Sequence, residues 1–173
     1  MFIAGDLIMF SLFFGTFVFY RSQNVELYVE AQNTLNQTYG LVNTLLMLTS
    51  SWFVALAIKG ARAHRYAVSA RFFFAACICG LGFVAVKYFE YGEKLRAGIT
   101  LETNEYFMYY YLFTGIHLLH VIIGLGVLIF CLKTTQRIGF EESDLMHLES
   151  GASFWHLVDM LWIVLFALLY LMR

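Results

Sequence analysis

Three helix-spaced groups of polar residues carry the chemistry available to this chain. Lys87 and Glu90 stand three residues apart, with Lys94 four beyond Glu90. His117 and His120 repeat the three-residue step. Glu149, Ser153, His156 and Asp159 follow one another at three or four residues. An acidic residue, Asp6, lies near the start. All fall within or beside strongly apolar stretches. A charge at the centre of a bilayer-spanning helix costs at least about 2.5–3.5 kcal/mol, so each needs a partner or a task. Lys87 and Glu90 suit a helix-surface ion pair, with Lys94 also in reach of the carboxylate. Tyr110, Thr114, His117 and Gly124 lie close to one helical face. Glu149, Ser153, His156 and Asp159 form a second stripe. Two such stripes are placed most economically facing inward, joined by hydrogen bonds.

The functional chemistry open to these stripes is proton transfer or metal binding. Two histidines and a carboxylate can ligate iron, copper or zinc, and a bis-histidine haem needs histidines on facing helices. Against a metal, the sequence has no HExxH, no cysteine pair at ligand spacing and no Glu-x-x-His repeated on two helices. His-x-x-His adjoins on any helix. A structural hydrogen-bond network is therefore the default reading. Proton handling and a metal or haem site are its alternatives. Asp6 has no basic neighbour in sequence. It either keeps its proton within the apolar run or lies at headgroup level at a helix N-terminus, where negative charge is favoured.

The elements that position these residues follow from composition. Of 173 residues, 61% are apolar and 13% charged, with 18 Phe and 11 Tyr. A soluble domain carries roughly 25% charge, so the excess apolar surface must face lipid. A net charge of −1 offers no basic patch for nucleic acid. Cys77, Cys79 and Cys131 sit in apolar runs and read as small buried hydrophobes. No cleavable signal peptide is evident, because the first apolar run lacks a basic leader.

Five runs reach the roughly 20 residues needed to cross a hydrocarbon core. They are 2–20, 39–58, 71–91, 106–132 and 152–172. Backbone groups in lipid must be satisfied internally, so the expected fold is all-α. It is a single transmembrane domain, a bundle of five transmembrane helices. The chain contains no proline. The connections after the second and fourth runs hold Lys59, Arg62, Arg65, Arg71, Lys133 and Arg137. Those on the other side hold Arg21, Lys94 and Arg96. The positive-inside rule then puts the N-terminus in the cytoplasm and the C-terminus outside.

Weaker signals have ordinary readings. Asn43, Thr44, Ser50 and Ser51, with Gly80, Gly82, Gly115, Gly124 and Gly126, suit close helix packing. Trp52, Trp155, Trp162 and the Tyr106–Tyr111 cluster read in part as interfacial anchors. Glu141, Glu142 and Asp144 read as a solvated loop face.

These residues also support a family resemblance. Phe113-Thr114-Gly115-Ile116-His117-Leu118-Leu119-His120-Val121-Ile122-Ile123-Gly124 resembles the sixth helix of subunit III of haem-copper oxidases. The segment from Glu149 to Trp162, with its core Trp155-His156-Leu157-Val158-Asp159, resembles that family's last helix. Glu90-Tyr91 matches a further element. Asn43-Thr44 with Ser50-Ser51 is similar to the fourth helix, and Gly5-Asp6-Leu7-Ile8-Met9-Phe10 to the third. The likeness covers nearly the whole chain. Two N-terminal helices of the seven-helix form have no counterpart, so the chain resembles the short five-helix form of bacterial oxidases and nitric oxide reductase operons. Val25-Glu26-Leu27-Tyr28, continuing to Leu45, and Gly98-Ile99-Thr100-Leu101 look closer to the nitric oxide reductase-associated branch.

The resemblance implies a non-catalytic accessory subunit in the bacterial inner membrane. Its partner is the catalytic subunit of a haem-copper oxidase or nitric oxide reductase. It implies no haem or metal on this chain, and a role in assembly, stability or proton uptake. Phospholipid is a possible ligand, although one wall of the family's lipid cleft is missing here. Asp6 corresponds to the family's buried carboxylate. Lys87, Glu90, His117, His120, Glu149, His156 and Asp159 are expected to form the polar network of the bundle. The competing readings are a small membrane haem-binding redox carrier and a proton-conducting protein.

Overall fold

A computed structural model describes residues 2–137, 140 and 142–172, with the side chains of residues 2–4, 6 and 7 outside the description. The described residues form six helices: α1 (Phe2–Gln23), α2 (Val25–Asn33), α3 (Gln37–Arg62), α4 (Tyr66–Arg96), α5 (Glu105–Thr135) and α6 (Glu142–Phe166). A π-helical turn, Ala167–Leu171, continues α6.

This corrects the expected count of five transmembrane helices. Among the described residues four helices, α3, α4, α5 and α6 with its π-turn, are long and apolar enough to cross a membrane. The orientation drawn from charge rests on an odd number of crossings and falls with it. The unexpected helix is α2. With Glu26, Glu30, Gln32 and Asn33 in nine residues it is too short and too polar to span. Its Tyr28, Ala31 and Gln32, three and four residues apart, form one buried face. Burial, reinforced by the nearby Glu105 carboxylate, pushes the Tyr28 phenol up to about 12.

The helices also outrun their apolar segments. α4 starts five residues before its expected span and ends five after it. α6 begins at Glu142, inside what the sequence suggests is a connection. Hydrophobicity marks the length that lipid covers, whereas the helix continues until a cap stops it. Asn36 caps α3 by accepting from the Thr38 N–H at 3.0 Å, and Asn104 caps α5 by accepting from Phe107 N–H at 2.9 Å.

The four long helices form a closed ring in which α3 packs on α4, α4 on α5, α5 on α6 and α6 back on α3. Small residues permit this approach. A Cβ on Gly80 of α4 would lie 2.7 Å from Leu125 and 3.0 Å from the Trp155 ring. One on Gly124 of α5 would lie 2.7 Å from the same ring. Trp155 of α6 therefore fills a slot that only glycine leaves open. It and Trp162 are fully buried, as are Tyr106 and Tyr110, so only Trp52 of the three tryptophans is exposed. Their ring area packs the ring's centre; the expected interfacial role does not hold for them. Cys77 and Cys131 are buried and Cys79 is partly so, all as free thiols.

α1 lies outside the ring against α5 and α2. Phe10 meets His120, Phe13 and Phe14 meet Phe113, and Phe17 sits among Tyr28, Tyr106, Tyr109 and Phe113. Its other face exposes Ile8, Met9, Leu12 and Phe19. With Leu45, Phe74, Leu81, Ile122 and Met160, these form an apolar exterior matched to lipid tails.

Candidate functional site

α4 brings Lys87 and Glu90 to the ring interior, where each is 1% exposed. Lys87 Nζ donates to Glu90 Oε2 at 2.8 Å. The pair is completed from the far end of the chain. Lys87 donates to the Tyr170 hydroxyl at 3.0 Å, and that hydroxyl donates to Glu90 Oε1. A weaker 3.5 Å contact joins Lys87 to Tyr110. The ammonium also sits 4.9 Å from the Trp162 ring centre, 5.3 Å from Tyr110 and 5.5 Å from Tyr170. An aromatic box thus replaces much of the water that the cation gives up.

Tyr170 reaches this position because the π-turn is tied down on three sides. The end of a helix leaves carbonyls without partners. Here Gln32 of α2 donates to Leu169 O at 2.9 Å, Tyr106 of α5 donates to the same carbonyl at 2.6 Å, and Gln37 of α3 donates to Tyr170 O at 3.1 Å. Lys94 does not supply the expected second cation for Glu90. Its Nζ donates to Thr34 O at 2.6 Å, at the C-terminal cap of α2, where positive charge is favoured. Replacing Tyr170 by Phe removes the hydroxyl's bonds to Lys87, Glu90 and Tyr110 and leaves Glu90 Oε1 without its neutral donor. The expected cost is about 1–3 kcal/mol, read as a lower midpoint of thermal unfolding in mild detergent.

The two stripes do not join each other as expected. On α5, Tyr110 faces the charge pair and Thr114 hydrogen-bonds Tyr91 of α4. His117 is fully buried between Phe83 and Trp162, with no hydrogen-bond partner at either ring nitrogen among the described residues. His120 bonds within its own helix through Nδ1 to Ile116 O at 2.9 Å. The α6 stripe instead faces α3. His156 Nδ1 meets the Ser51 hydroxyl, and Glu149 pairs with Arg62 at 2.8 Å near the surface. Exposed pairs of this kind contribute about 0–1 kcal/mol. Asp159 is buried beside Ser51 and His156. α6 sits between α5 and α3, so its seven-spaced Trp155 and Trp162 point into the ring while Glu149 and His156 point to α3.

Among the described residues no three His, Cys, Asp or Glu side chains gather as a metal-binding group. The side chain of Asp6 lies outside the described residues. Sequence reasoning missed Tyr170, Gln32 and Gln37. The available signal was their polarity: Tyr170 is the one tyrosine in the last apolar run. The arrangement satisfies the buried Lys87–Glu90 pair from within the ring, through Tyr170 and the aromatic side chains around it.

Residues 1–173 match a family model described as cytochrome c oxidase subunit III. The chain is 28% identical to the heme-copper oxidase subunit I+III of Aeropyrum pernix, over 98% of this chain and 22% of that longer protein. It thus spans about a fifth of that relative. It is 27% identical to a probable cytochrome c oxidase subunit 3 of Nocardia farcinica, over 99% of this chain and 84% of the relative. The cytochrome c oxidase subunit 3 of Synechocystis is 28% identical, with 99% and 73% covered.

Proposed function

The chain belongs to the cytochrome c oxidase subunit III family, and from that premise we propose that it serves as a non-catalytic membrane subunit beside the catalytic subunit of a haem-copper respiratory enzyme. It is a multi-pass integral membrane protein, and we place it in the bacterial inner membrane. The observation that carries the reading is the similarity to a relative named as subunit I+III, in which the matching region accounts for 22% of the protein. A region of this kind within one protein bearing both subunit names supports side-by-side packing with a subunit I.

The polar interior supports the same role. Lys87, Glu90, Tyr170 and the π-turn contacts are spent on one another, and the outer face is apolar. Such a bundle contributes by stabilising, assembling or aiding proton uptake in its partner. The named relatives favour an oxidase as that partner. The segments near Val25–Leu45 and Gly98–Leu101 favour nitric oxide reductase.

Deleting the gene is expected to lower the activity or lifetime of the respiratory enzyme in membranes while leaving haem content per active enzyme unchanged. Oxygen and nitric oxide consumption, measured beside haem spectra, separate the two partners. Full activity and an unaltered turnover lifetime on both substrates would remove the proposal.

A further inference from the structure

The turn that delivers Tyr170 is not α-helical, and its register decides where the hydroxyl points. Seven residues of α-helix return to nearly the same side, whereas eight overshoot it by about 80°. Trp155, Trp162 and Leu169 are seven apart, and all three are buried. Tyr170, eight beyond Trp162, would be turned off that side in a continuous α-helix. The π-turn Ala167–Leu171, closed by the Met172 N–H donating to Ala167 O at 3.0 Å, removes the overshoot by rotating less per residue. Trp162 and Tyr170 consequently face the same ammonium, with ring centres 4.9 and 5.5 Å from Lys87 Nζ. Gly40 of α3 makes room for this register: a Cβ there would lie 2.9 Å from the Tyr170 ring and 2.7 Å from that of Phe166.

A π-helical turn is a rare register and needs outside support. Gln32 of α2 supplies it twice, donating to Leu168 O at 3.3 Å and to Leu169 O at 2.9 Å. α2 is itself lightly held. Its nine residues are too few for a stable isolated helix. One face buries Tyr28, Ala31 and Gln32, while Val25, Glu26, Leu27 and Glu30 are exposed. We propose that α2 is a latch on the buried charge pair. Docked, it holds the π-register that keeps the Tyr170 hydroxyl on Lys87 and Glu90. Undocked, it lets the turn relax toward α-helix and withdraw that hydroxyl. A contact on the exposed face of α2 is thereby felt at two charges that share no hydrogen bond with α2 among the described residues. The coupling is reciprocal, so loss of the hydroxyl loosens α2. It stands independently of which enzyme the chain accompanies.

The test is hydrogen–deuterium exchange of the full chain in mild-detergent micelles, followed peptide by peptide. Gln32→Leu should speed exchange of the amides of residues 169–172 by about threefold to tenfold, the equilibrium effect of losing a neutral hydrogen bond. Tyr170→Phe removes a hydroxyl that touches Lys87, Glu90 and Tyr110 and, among the described residues, nothing on α2. It should nevertheless speed exchange in residues 25–33 by a similar factor. Trp155→Phe, a change toward the other end of α6, serves as the control for general loosening and should leave residues 25–33 at the wild-type rate. Three results would each overturn the proposal: wild-type exchange of residues 169–172 in Gln32→Leu, wild-type exchange of residues 25–33 in Tyr170→Phe, or equal loosening of α2 in Trp155→Phe.

Discussion

Replacing Lys87 by Met is expected to destabilise the bundle by about 3–5 kcal/mol, because it strands the Glu90 carboxylate in the interior. The Lys87 Nζ is the only cation within hydrogen-bonding distance of that carboxylate among the described residues, and both side chains are 1% exposed. After the change, Glu90 keeps only the Tyr170 hydroxyl. Four rings that face the ammonium, those of Tyr91, Tyr110, Trp162 and Tyr170, lose it at the same time. The physics also sets a control. Removing both charges, as in Lys87→Met with Glu90→Leu, should recover most of the loss, since a buried ion pair exchanged for apolar groups of similar volume is often neutral. Unfolding by a graded denaturing detergent measures both variants. A Lys87→Met chain as stable as wild type would mean that the pair is not buried in the membrane-embedded protein.

Trp155→Ala should cost a similar amount, about 3–5 kcal/mol, by opening a cavity at the centre of the ring. The indole is fully buried and lies against Gly80 of α4 and Gly124 of α5, so its loss separates three helices at once. The two positions facing the ring are glycines, which bring no side chain of their own to fill the space. Trp155→Phe should be much milder. The indole Nε1 has no hydrogen-bond partner among the described residues, so Phe gives up ring volume but none of their bonds. The same unfolding measurement ranks the two. Equal losses for Ala and Phe would point to the N–H, and not to packing, as the source of stability.

The parts of this fold that the sequence reveals are those governed by local rules. Apolar runs locate the long helices because lipid demands internally bonded backbone. The Lys87–Glu90 pair is readable because three residues on a helix place two side chains together whatever surrounds them. α2 is not readable in this way. Its apolar face is narrow and its polar content resembles a loop, and it is held by burial of Tyr28, Ala31 and Gln32 against distant residues. Counting it as connection left no account of how the C-terminal carbonyls are satisfied.

The candidate site divides along the same line. Tyr170 belongs to the charge cluster but lies 80 residues from Glu90, so no spacing rule links them. The α6 stripe was visible, whereas its direction was not. Whether Glu149 and His156 face α5 or α3 depends on the order of helices around the ring, which is a tertiary fact. The tryptophans show the same limit. Amphipathic rings suit an interface, and only the glycines opposite Trp155 reveal that its slot is internal.

The central claim is that this chain is a companion of a haem-copper catalytic subunit. Affinity purification of the tagged chain from native membranes in a mild detergent tests it most directly, with the haem spectrum and the identities of co-purifying proteins as readouts. The expected result is a catalytic subunit in near-stoichiometric amount, bringing its own haem absorbance. A colourless chain recovered alone, from membranes in which the respiratory enzyme is present and active, would contradict the account.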